Sequence, residues 1–441
     1  MAQLQQVVTS NGVKFNCYEH NIATVGDINQ ELPAYTEDIP IKAIVPLTVE
    51  YNGTSYKVAI VANNAFSGCN KIESLTFEDG IRMLGYNVVK NCKNLKYLSI
   101  PNCSLFENVV SGCTSLEELN LECTYFNNSS FDLSKSTRLK KVTLKNTLEI
   151  GNNALFGITA LTEIQLPSTL TSIGPKAFAG SGLKELTIPN SVSRIAYGAF
   201  ANCKSLTSLT LPFVGETKGK NQFLGYVFGA DGYDVSNDYV PTELKSIKVT
   251  NQSIVSDHAF QECQNIETVK YTKPIERIGD YAFYNCKELG SITLTNSLDD
   301  IGYYAFRKCK SMTSISVPID TDVDSHAFLT TRTTTIYGKA GSSAEVAANK
   351  CSQPFRAYVF NLQLKGSSKI LKKGEKYTIK IEKASPGRLS AKYLAWKSSN
   401  TKIATVDSKG VVVAKKKGKC VITATAKDKN KKKDSYTILV K

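Results

Sequence analysis

The most constraining feature of this sequence is a segment that recurs about a dozen times between residues 65 and 337, mostly 21 to 24 residues apart. Each copy has Ala-Phe, a Cys three residues after the Phe, and then Leu-x-x-Leu-x-Leu, Ile or Val; a clean copy spans residues 199–212. A unit this short cannot bury its own apolar side. The recurrence therefore predicts a solenoid in which each coil packs on the next.

A period in the low twenties with Leu-x-x-Leu-x-Leu is typical of leucine-rich repeats, in which every coil adds one short strand to a parallel sheet. An apolar residue fills the Phe position of every copy, which predicts about 12 coils. These positions are Phe66, Val89, Val110, Phe131, Leu155, Phe178, Phe200, Phe228, Phe260, Phe283, Phe306 and Phe328.

The strand register predicts which side chains face the concave surface of the sheet. Leu209 and Leu211 alternate with Ser208 and Thr210, so the Leu side chains point inward and the polar ones outward. The same register places candidate binding residues on this face, namely Tyr97, Glu118, Glu163, Glu185, Lys248 and Lys270. The face is polar, which suits either a broad, weak and multivalent contact or a plain scaffold surface.

Seven of the 12 cysteines occupy one position of the repeat: Cys69, Cys92, Cys113, Cys203, Cys263, Cys286 and Cys309. A Cys at a fixed core position behaves as a small apolar residue, so we expect a ladder of buried free thiols. The alternative is a disulfide scaffold, but such scaffolds are short chains without a large core.

Positive charge is concentrated at one end of the chain. Residues 359–441 hold 22 Lys and Arg against 5 Asp and Glu, whereas residues 1–358 hold 32 against 34. Two clusters contain the candidate binding residues Lys415, Lys416, Lys417, Lys431, Lys432 and Lys433. They either form a solvated surface or attract anionic glycans, cell-wall polymers or membrane headgroups. A nucleic-acid partner is not expected, because no motif for one is present.

Three regions follow from these patterns. Residues 1–57 lack the repeat and alternate polar and apolar residues, which predicts a strand-rich N-terminal cap over the first coil. Residues 342–345 have capping-box spacing and open a short Ala-rich helix that closes the solenoid. We therefore expect a solenoid over 58–358 and a separate module over 359–441.

The eighth coil is interrupted, because Leu244 lies sixteen positions after Phe228 where most coils have a spacing of six. The excursion and its approach carry four aromatic candidate binding residues, Phe223, Tyr226, Tyr233 and Tyr239. Aromatic side chains on a loop that projects from a rigid scaffold form a reasonable contact site. The alternative is that they pack the excursion against the solenoid.

Nothing in the sequence points to catalysis. The three histidines, His20, His258 and His326, lie far apart and in no metal-binding spacing, and no nucleophile motif occurs. We expect no enzyme activity, no metal and no cofactor. No run of 18 apolar residues occurs, and the first residues lack the charged and apolar regions of an export signal.

The repeats, with Ser-Ile-Gly at 172–174 and Arg-Ile-Gly at 277–279 leading into them, resemble the BspA-like leucine-rich repeats over about 58–340. Val89, Val110 and Leu155 depart from the Phe of that family, so coils two to five are expected to be less regular. Residues 396–400, 404–407 and 410–424 resemble a group 2 bacterial immunoglobulin-like domain. Its all-β sandwich has a place in the core for Trp396.

The two resemblances imply a bacterial surface or secreted protein that adheres to host matrix or cell-surface proteins. The immunoglobulin-like module would then act as a spacer, and we expect a monomer outside the cell. The alternative is a module that binds anionic glycans or cell-wall polymers through its lysines.

Overall fold

The structure, a computed structural model, describes residues 3–329, 333–359, 361–385, 391–428 and 430–441. The chain divides between residues 252 and 253 into two compact units, which we call the first and the second compact unit. Most of it is a β-solenoid of about 13 turns with short parallel strands, and its C-terminal region forms antiparallel sheets. The expected fold class is therefore confirmed.

The N-terminal residues form antiparallel strands joined by tight turns. Asn52 and Gly53 both have positive φ and make the hairpin turn that the Asn-Gly pair predicts. Two of these strands pair in parallel instead: Ile22–Val25 with Thr54–Val61, and Lys42–Val45 with Ser74–Phe77, which starts the concave sheet. The other N-terminal elements are Leu4–Ser10, Val13–Tyr18, the 3-10 turn Glu19–Asn21, Ile22–Val25, Thr48–Tyr51 and Thr54–Val61.

The concave sheet consists of one short strand per coil with inward apolar residues, as in the buried Leu98 and Ile100 of Tyr97–Ile100. Parallel pairing sets each residue opposite its equivalent one coil later, for example Tyr97 opposite Glu118. In the first compact unit its further strands are Ser74–Phe77, Glu118–Leu121, Lys141–Leu144, Glu185–Thr187, Ser208–Leu211 and Ser246–Val249. In the second they are Thr268–Tyr271, Ser314–Ser316, Thr335–Gly338 and Phe355–Ala357.

Two-residue strands form further ladders along the sides of the coils. In the first compact unit they are Met83–Leu84, Val89–Lys90, Ser104–Leu105, Val110–Ser111, Tyr125–Phe126, Phe131–Asp132, Glu149–Ile150, Ser172–Ile173 and Arg194–Ile195. In the second they are Ile254–Val255, Arg277–Ile278, Asp300–Ile301 and Asp322–Val323. The positions where Val replaces Phe, Val89 and Val110, pair as strands and stay buried.

The core is a stack of aromatic rings at the Phe position. The ring of Phe283 lies 5.2 Å from that of Phe260 and 5.3 Å from that of Phe306, with nearly parallel planes. All three side chains are fully buried. Each coil therefore buries its neighbour's ring, which is the packing that the repeat predicts.

The repeated cysteines connect adjacent coils by a hydrogen bond. The Cys286 thiol donates to the Phe260 carbonyl at 3.0 Å, and the Cys309 thiol donates to the Phe283 carbonyl at 3.1 Å. Burial raises the pKa of Cys309 to about 12, so the thiol keeps its proton. All 12 cysteines lie in described parts of the chain, and none of them is in a disulfide.

The predicted closing helix is present as Ser343–Lys350, but its capping-box bonds are not formed. The Ser342 hydroxyl donates to the Lys339 carbonyl at 2.7 Å instead of capping the helix. The Glu345 carboxylate accepts a hydrogen bond from the Gly341 amide at 2.8 Å. The helix packs its buried alanines against the last strands of the solenoid.

The C-terminal module consists of mostly antiparallel strands around an apolar core, with Ser368–Leu371 and Lys433–Val440 paired in parallel. Trp396 packs against this core, and Gly410 with its φ of 78° lies against the indole, where a Cβ would be 2.8 Å away. Trp396 thus contributes to the core. The elements are Asn361–Leu364, Ser368–Leu371, Lys376–Thr378, Ile381–Ser385, the 3-10 turn Ala391–Tyr393, Leu394–Ser398, Ala404–Val406, Val411–Ala414, Gly418–Ala426 and Lys433–Val440.

Replacing Phe283 by Ala should lower the free energy of unfolding of the solenoid by about 3–5 kcal/mol, because a cavity opens between two stacked rings. Phe156→Ala is the matched control, since Phe156 is 51% exposed and its loss should change stability by less than about 0.5 kcal/mol. Chemical denaturation followed by circular dichroism measures both. Equal effects of the two substitutions would contradict the stacked core.

Thiol titration of the denatured, unreduced protein should count all 12 cysteines. In the folded protein the buried thiols should react slowly, because burial keeps them out of contact with reagent. A count near zero after denaturation would show that disulfides, and not thiol hydrogen bonds, join the coils.

Candidate functional site

The concave face carries the polar side chains that the register predicts. Tyr97 is half-buried, and its hydroxyl accepts a hydrogen bond from the Asn120 amide at 2.8 Å. The ring is therefore held by the next coil. Glu163, Glu185 and Lys270 are exposed, as is Lys248 on the strand Ser246–Val249.

Much of the negative charge on the early coils is paired across coils. Glu118 lies 3.3 Å from the Lys141 ammonium, and Glu117 lies 2.6 Å from that of Lys140. The hydrogen bond from Lys140 lowers the pKa of the Glu117 carboxyl. Glu117 and Glu118 thus form surface ion pairs, which contribute little to stability.

Glu163 and Glu185 come together in an open groove of about 880 Å³ on the concave face of the first compact unit. The coil between Lys141–Leu144 and Glu185–Thr187 contributes only a bridge from Thr143 to Gln165 here. Lys141 also lines the groove, so both signs of charge are present.

The excursion around Phe228 folds into the short helices Leu224–Phe228 and Ser236–Tyr239, joined by the 3-10 turn Tyr233–Val235. Its predicted contact residues divide into two pairs. Phe223 and Tyr226 are half-buried with ring centroids 6.0 Å apart. Tyr233 and Tyr239 are 40% and 43% exposed. Phe223 and Tyr226 therefore help to pack the excursion, whereas a contact site at Tyr233 and Tyr239 stays a prediction.

A buried carboxylate holds the start of this excursion. Glu216 is 3% exposed, and its oxygens accept from the Asn221 amide at 2.7 Å and from Arg194 Nε at 3.2 Å. Burial alone would raise the pKa of Glu216. Hydrogen bonds from Asn221, Tyr226 and Arg194 outweigh burial and lower the pKa of this carboxyl overall.

A tyrosine from the preceding coil holds the far side of the excursion. The Tyr197 hydroxyl lies 2.6 Å from the Gly229 carbonyl oxygen and 2.6 Å from Asp231 Oδ1. The hydrogen bond to Asp231 raises the pKa of Tyr197 to about 12. The sequence did not reveal this anchor or Glu216, because neither lies at a repeated position.

The two lysine clusters do not form one site. Residues 415–417 precede the strand Gly418–Ala426, and residues 431–433 follow the turn at its other end. Nine residues of extended strand place the clusters roughly 30 Å apart. All six lysines are exposed, which fits a solvated surface or two separate weak contacts.

A second aromatic surface lies on the side of the later coils and was missed by the sequence reasoning. We name it the aromatic ridge, and it consists of His258, Tyr281, Tyr284, Tyr303, Tyr304 and His326, all half-buried. The ring of Tyr281 lies 5.2 Å from that of His258 and 5.5 Å from that of Tyr304. The Arg307 guanidinium lies 4.2 Å from the centre of the Tyr304 ring.

The ridge backbone has an unusual conformation. His258, Tyr281 and Tyr304 have φ of 61°, 55° and 55°, the left-handed region that disfavours bulky side chains. The turns are held across coils, since the His258 amide donates to the Asp280 carbonyl and the Tyr281 amide to the Tyr303 carbonyl, each at 2.8 Å. The rings are therefore fixed in place.

One sequence signal could have located the ridge. His258, Tyr281 and Tyr304 each lie two positions before a buried Phe. At the same position several earlier coils have a residue suited to positive φ, namely Asn64, Asn87, Asn108 and Asn153. A change from Asn to aromatic residues at one outward position indicates a surface that differs from the scaffold.

Among the described residues, no three His, Cys, Asp or Glu side chains converge in a way that could hold a metal ion. Within the same ranges, no helix has the length and apolar character to cross a membrane.

The chain belongs to the family of BspA-type leucine-rich repeat regions. The family model matches six copies within residues 50–154, 133–226 and 236–348. A group 2 bacterial Ig-like domain matches residues 359–435. Both families are typically non-catalytic, protein-binding domains.

Solved structures to which this chain is similar include two bacterial leucine-rich proteins. A leucine-rich cell surface protein from Faecalibacterium prausnitzii is 18% identical, with 80% of this chain and 95% of that chain covered and a TM-score of 0.39. A leucine-rich repeat protein from Bacteroides ovatus is 19% identical, with 80% and 99% covered and a TM-score of 0.35.

One curated protein shares a short segment. Kappa-carrageenase from Pseudoalteromonas carrageenovora is 37% identical over 99 residues, which are 22% of this chain and 24% of the enzyme. The chain thus spans about a quarter of that relative's length.

Replacing Glu216 by Gln should destabilise the first compact unit by about 1–3 kcal/mol at pH 7, because buried donors lose a charged acceptor. The folded pKa of Glu216 is lowered, so its contribution is complete above the unfolded pKa of about 4.3 and is lost as pH falls through the folded value. The difference between wild type and variant should therefore shrink at pH 3.

Denaturant melts at pH 7 and pH 3 measure this effect. The matched control is Glu149→Gln, which alters an exposed carboxylate and should change stability by less than about 0.5 kcal/mol. A Glu216 variant as stable as wild type at pH 7 would show that the carboxylate does not hold the excursion.

Proposed function

We propose that the protein is a non-enzymatic adhesion protein of the bacterial surface or exterior, and that it binds a protein partner at the aromatic ridge. Its family membership and Ig-like domain support protein binding in general. The observation that favours this surface is the row of aromatic side chains at positive φ in three coils.

The composition of the ridge supports a protein partner. Tyr and Arg are enriched in protein interfaces. The ridge has four tyrosines, and Arg307 lies beside it over the Tyr304 ring. Tyr303 and Tyr304 stack with ring centres 3.8 Å apart. Such rings lose little conformational entropy on binding because the turns already hold them.

In this proposal the partner is a host matrix or cell-surface protein, and the Ig-like module is a spacer. The protein acts as a monomer outside the cell. The polar concave face provides additional weak contacts, as a broad and multivalent surface does.

A second candidate function is the binding of anionic glycans or cell-wall polymers by the Ig-like module. The observation in its favour is the exposure of all six lysines in the two clusters. Their separation along one strand favours two weak contacts over a single tight site, and such contacts weaken as salt rises.

The double variant Tyr281→Asn/Tyr304→Asn tests the ridge. It places at two ridge positions the residue that earlier coils have there, so its thermal midpoint should be unchanged or higher. Binding of purified protein to a panel of matrix proteins and epithelial cells should fall at least about tenfold.

Two matched controls locate the binding if it lies elsewhere. Tyr233→Ala/Tyr239→Ala removes two exposed tyrosines from the excursion, and Lys415→Ala/Lys416→Ala removes two charges from the module. Both should bind like wild type. Full binding by the ridge variant would contradict the ridge as the site, and no retention of wild type on any panel member would contradict adhesion itself.

A further inference from the structure

The side ladder of the early coils is interrupted at one place. Thr54–Val61, Met83–Leu84 and Ser104–Leu105 pair in parallel within one sheet. The next strand, Tyr125–Phe126, belongs to a different sheet and pairs only with the coil that follows it, among the strands that the structure describes. The backbone edges of Ser104–Leu105 and Tyr125–Phe126 are therefore not paired with each other.

The residues that follow these side strands differ at the break. Gly85 and Gly174 follow regular side strands. A Cβ on Gly85 would lie 2.4 Å from Asn63 Oδ1, and a Cβ on Gly174 would lie 2.7 Å from the Gly151 carbonyl carbon. Glycine thus lets adjacent coils approach closely. On either side of the break this position holds Phe106 and then Asn127, whose side chains need more space.

The break opens into a depression of about 870 Å³, which we name the sheet-break pocket. This volume lies within the usual range for ligand sites, about 300–1,000 Å³. The side chains with polar groups or an aromatic ring that line the pocket include those of Lys57, Arg82, Ser104, Thr124, Tyr125 and Asn127. Tyr125 is 59% exposed, so its ring is accessible from solvent.

The charge of the pocket has one sign. Lys57 and Arg82 are exposed, no carboxylate is among the described residues that line it, and neither cation has an ion pair within the described chain. Their backbones are close, since the Arg82 amide donates to the Ala59 carbonyl two residues from Lys57. Burial raises the pKa of Cys103 and of Cys123 to about 12, so these thiols add no negative charge.

We propose that the sheet-break pocket binds an acidic sugar residue of a glycan chain. Arg82 and Lys57 bind its carboxylate or sulfate, since a guanidinium and an ammonium both suit oxyanions. The Tyr125 ring packs against the apolar face of the sugar. The hydroxyls of Ser104 and Thr124 and the amide of Asn127 hydrogen-bond to sugar hydroxyls.

A glycan fits this pocket better than an acidic peptide. The lining offers hydroxyl and amide groups together with an exposed aromatic ring, and the unpaired strand edges add backbone donors and acceptors. A sugar ring presents both hydroxyls and an apolar face. The site is distinct from the aromatic ridge and from the lysine clusters, so it does not depend on the proposed adhesion.

Isothermal titration calorimetry on the full chain tests the proposal with four probes: a chondroitin sulfate tetrasaccharide, tetragalacturonate, maltotetraose and tetraglutamate. At least one acidic tetrasaccharide should bind, and maltotetraose should not. Binding of both acidic sugars identifies the carboxylate as the recognised group. Binding of the sulfated probe alone identifies sulfate.

Charge-matched variants separate the pocket from general attraction to a basic protein. Lys57→Ala/Arg82→Ala should weaken binding at least about tenfold, because it removes the oxyanion partners. Lys415→Ala/Lys416→Ala removes the same charge elsewhere and should change affinity less than about twofold. Tyr125→Ala should also weaken binding, while Tyr125→Phe, which keeps the ring, should bind like wild type.

Several results would overturn the proposal. One is an equal loss of affinity in the two charge-matched variants. Others are binding of maltotetraose or tetraglutamate as tight as that of the acidic sugars, and no binding of any acidic sugar. The altered side chains are exposed, so thermal midpoints should stay at the wild-type value and confirm that each variant is folded.

Discussion

The stacking of one coil on the next is the interaction on which the rest of the molecule depends. Within the second compact unit, the rings of Phe260 and Phe283 are parallel with centroids 5.2 Å apart, and the Cys286 thiol donates a hydrogen bond to the Phe260 carbonyl of the coil before it. Because this packing fixes the register between coils, equivalent outward positions of neighbouring coils lie beside one another. A row of identical positions can then carry a new surface without altering the core.

The inward half of the structure was predictable from the sequence because burial imposes the same residue types at each repeat. Phe at one position, Cys three residues later and alternating Leu in the strand all follow from packing alone. The outward half was only partly predictable. Register correctly placed Glu118 and Tyr97 on the concave face, but it could not show that Lys141 and Asn120 of the next coil already bind them.

Irregular contacts explain most of what the sequence left hidden. Glu216 has no counterpart in other coils, and its donors come from the preceding coil and from the excursion itself. The break before Tyr125 lies where Phe106 and Asn127, in successive coils, occupy the position after the side strand. Other coils have Gly85, Gly151 or Gly174 at this position. Both features are departures from the repeat, so periodicity alone carries no information about their partners.

The aromatic ridge shows why such departures indicate function more strongly than regular positions do. A bulky residue at positive φ costs on the order of 1–3 kcal/mol, and the same turn is free of that strain when it holds Asn. Tyr281 and Tyr304 accept this strain in adjacent coils although their rings contribute nothing to the buried Phe stack. The buried Phe stack therefore does not explain their presence. Rigid, closely spaced rings are what the proposed protein partner would use.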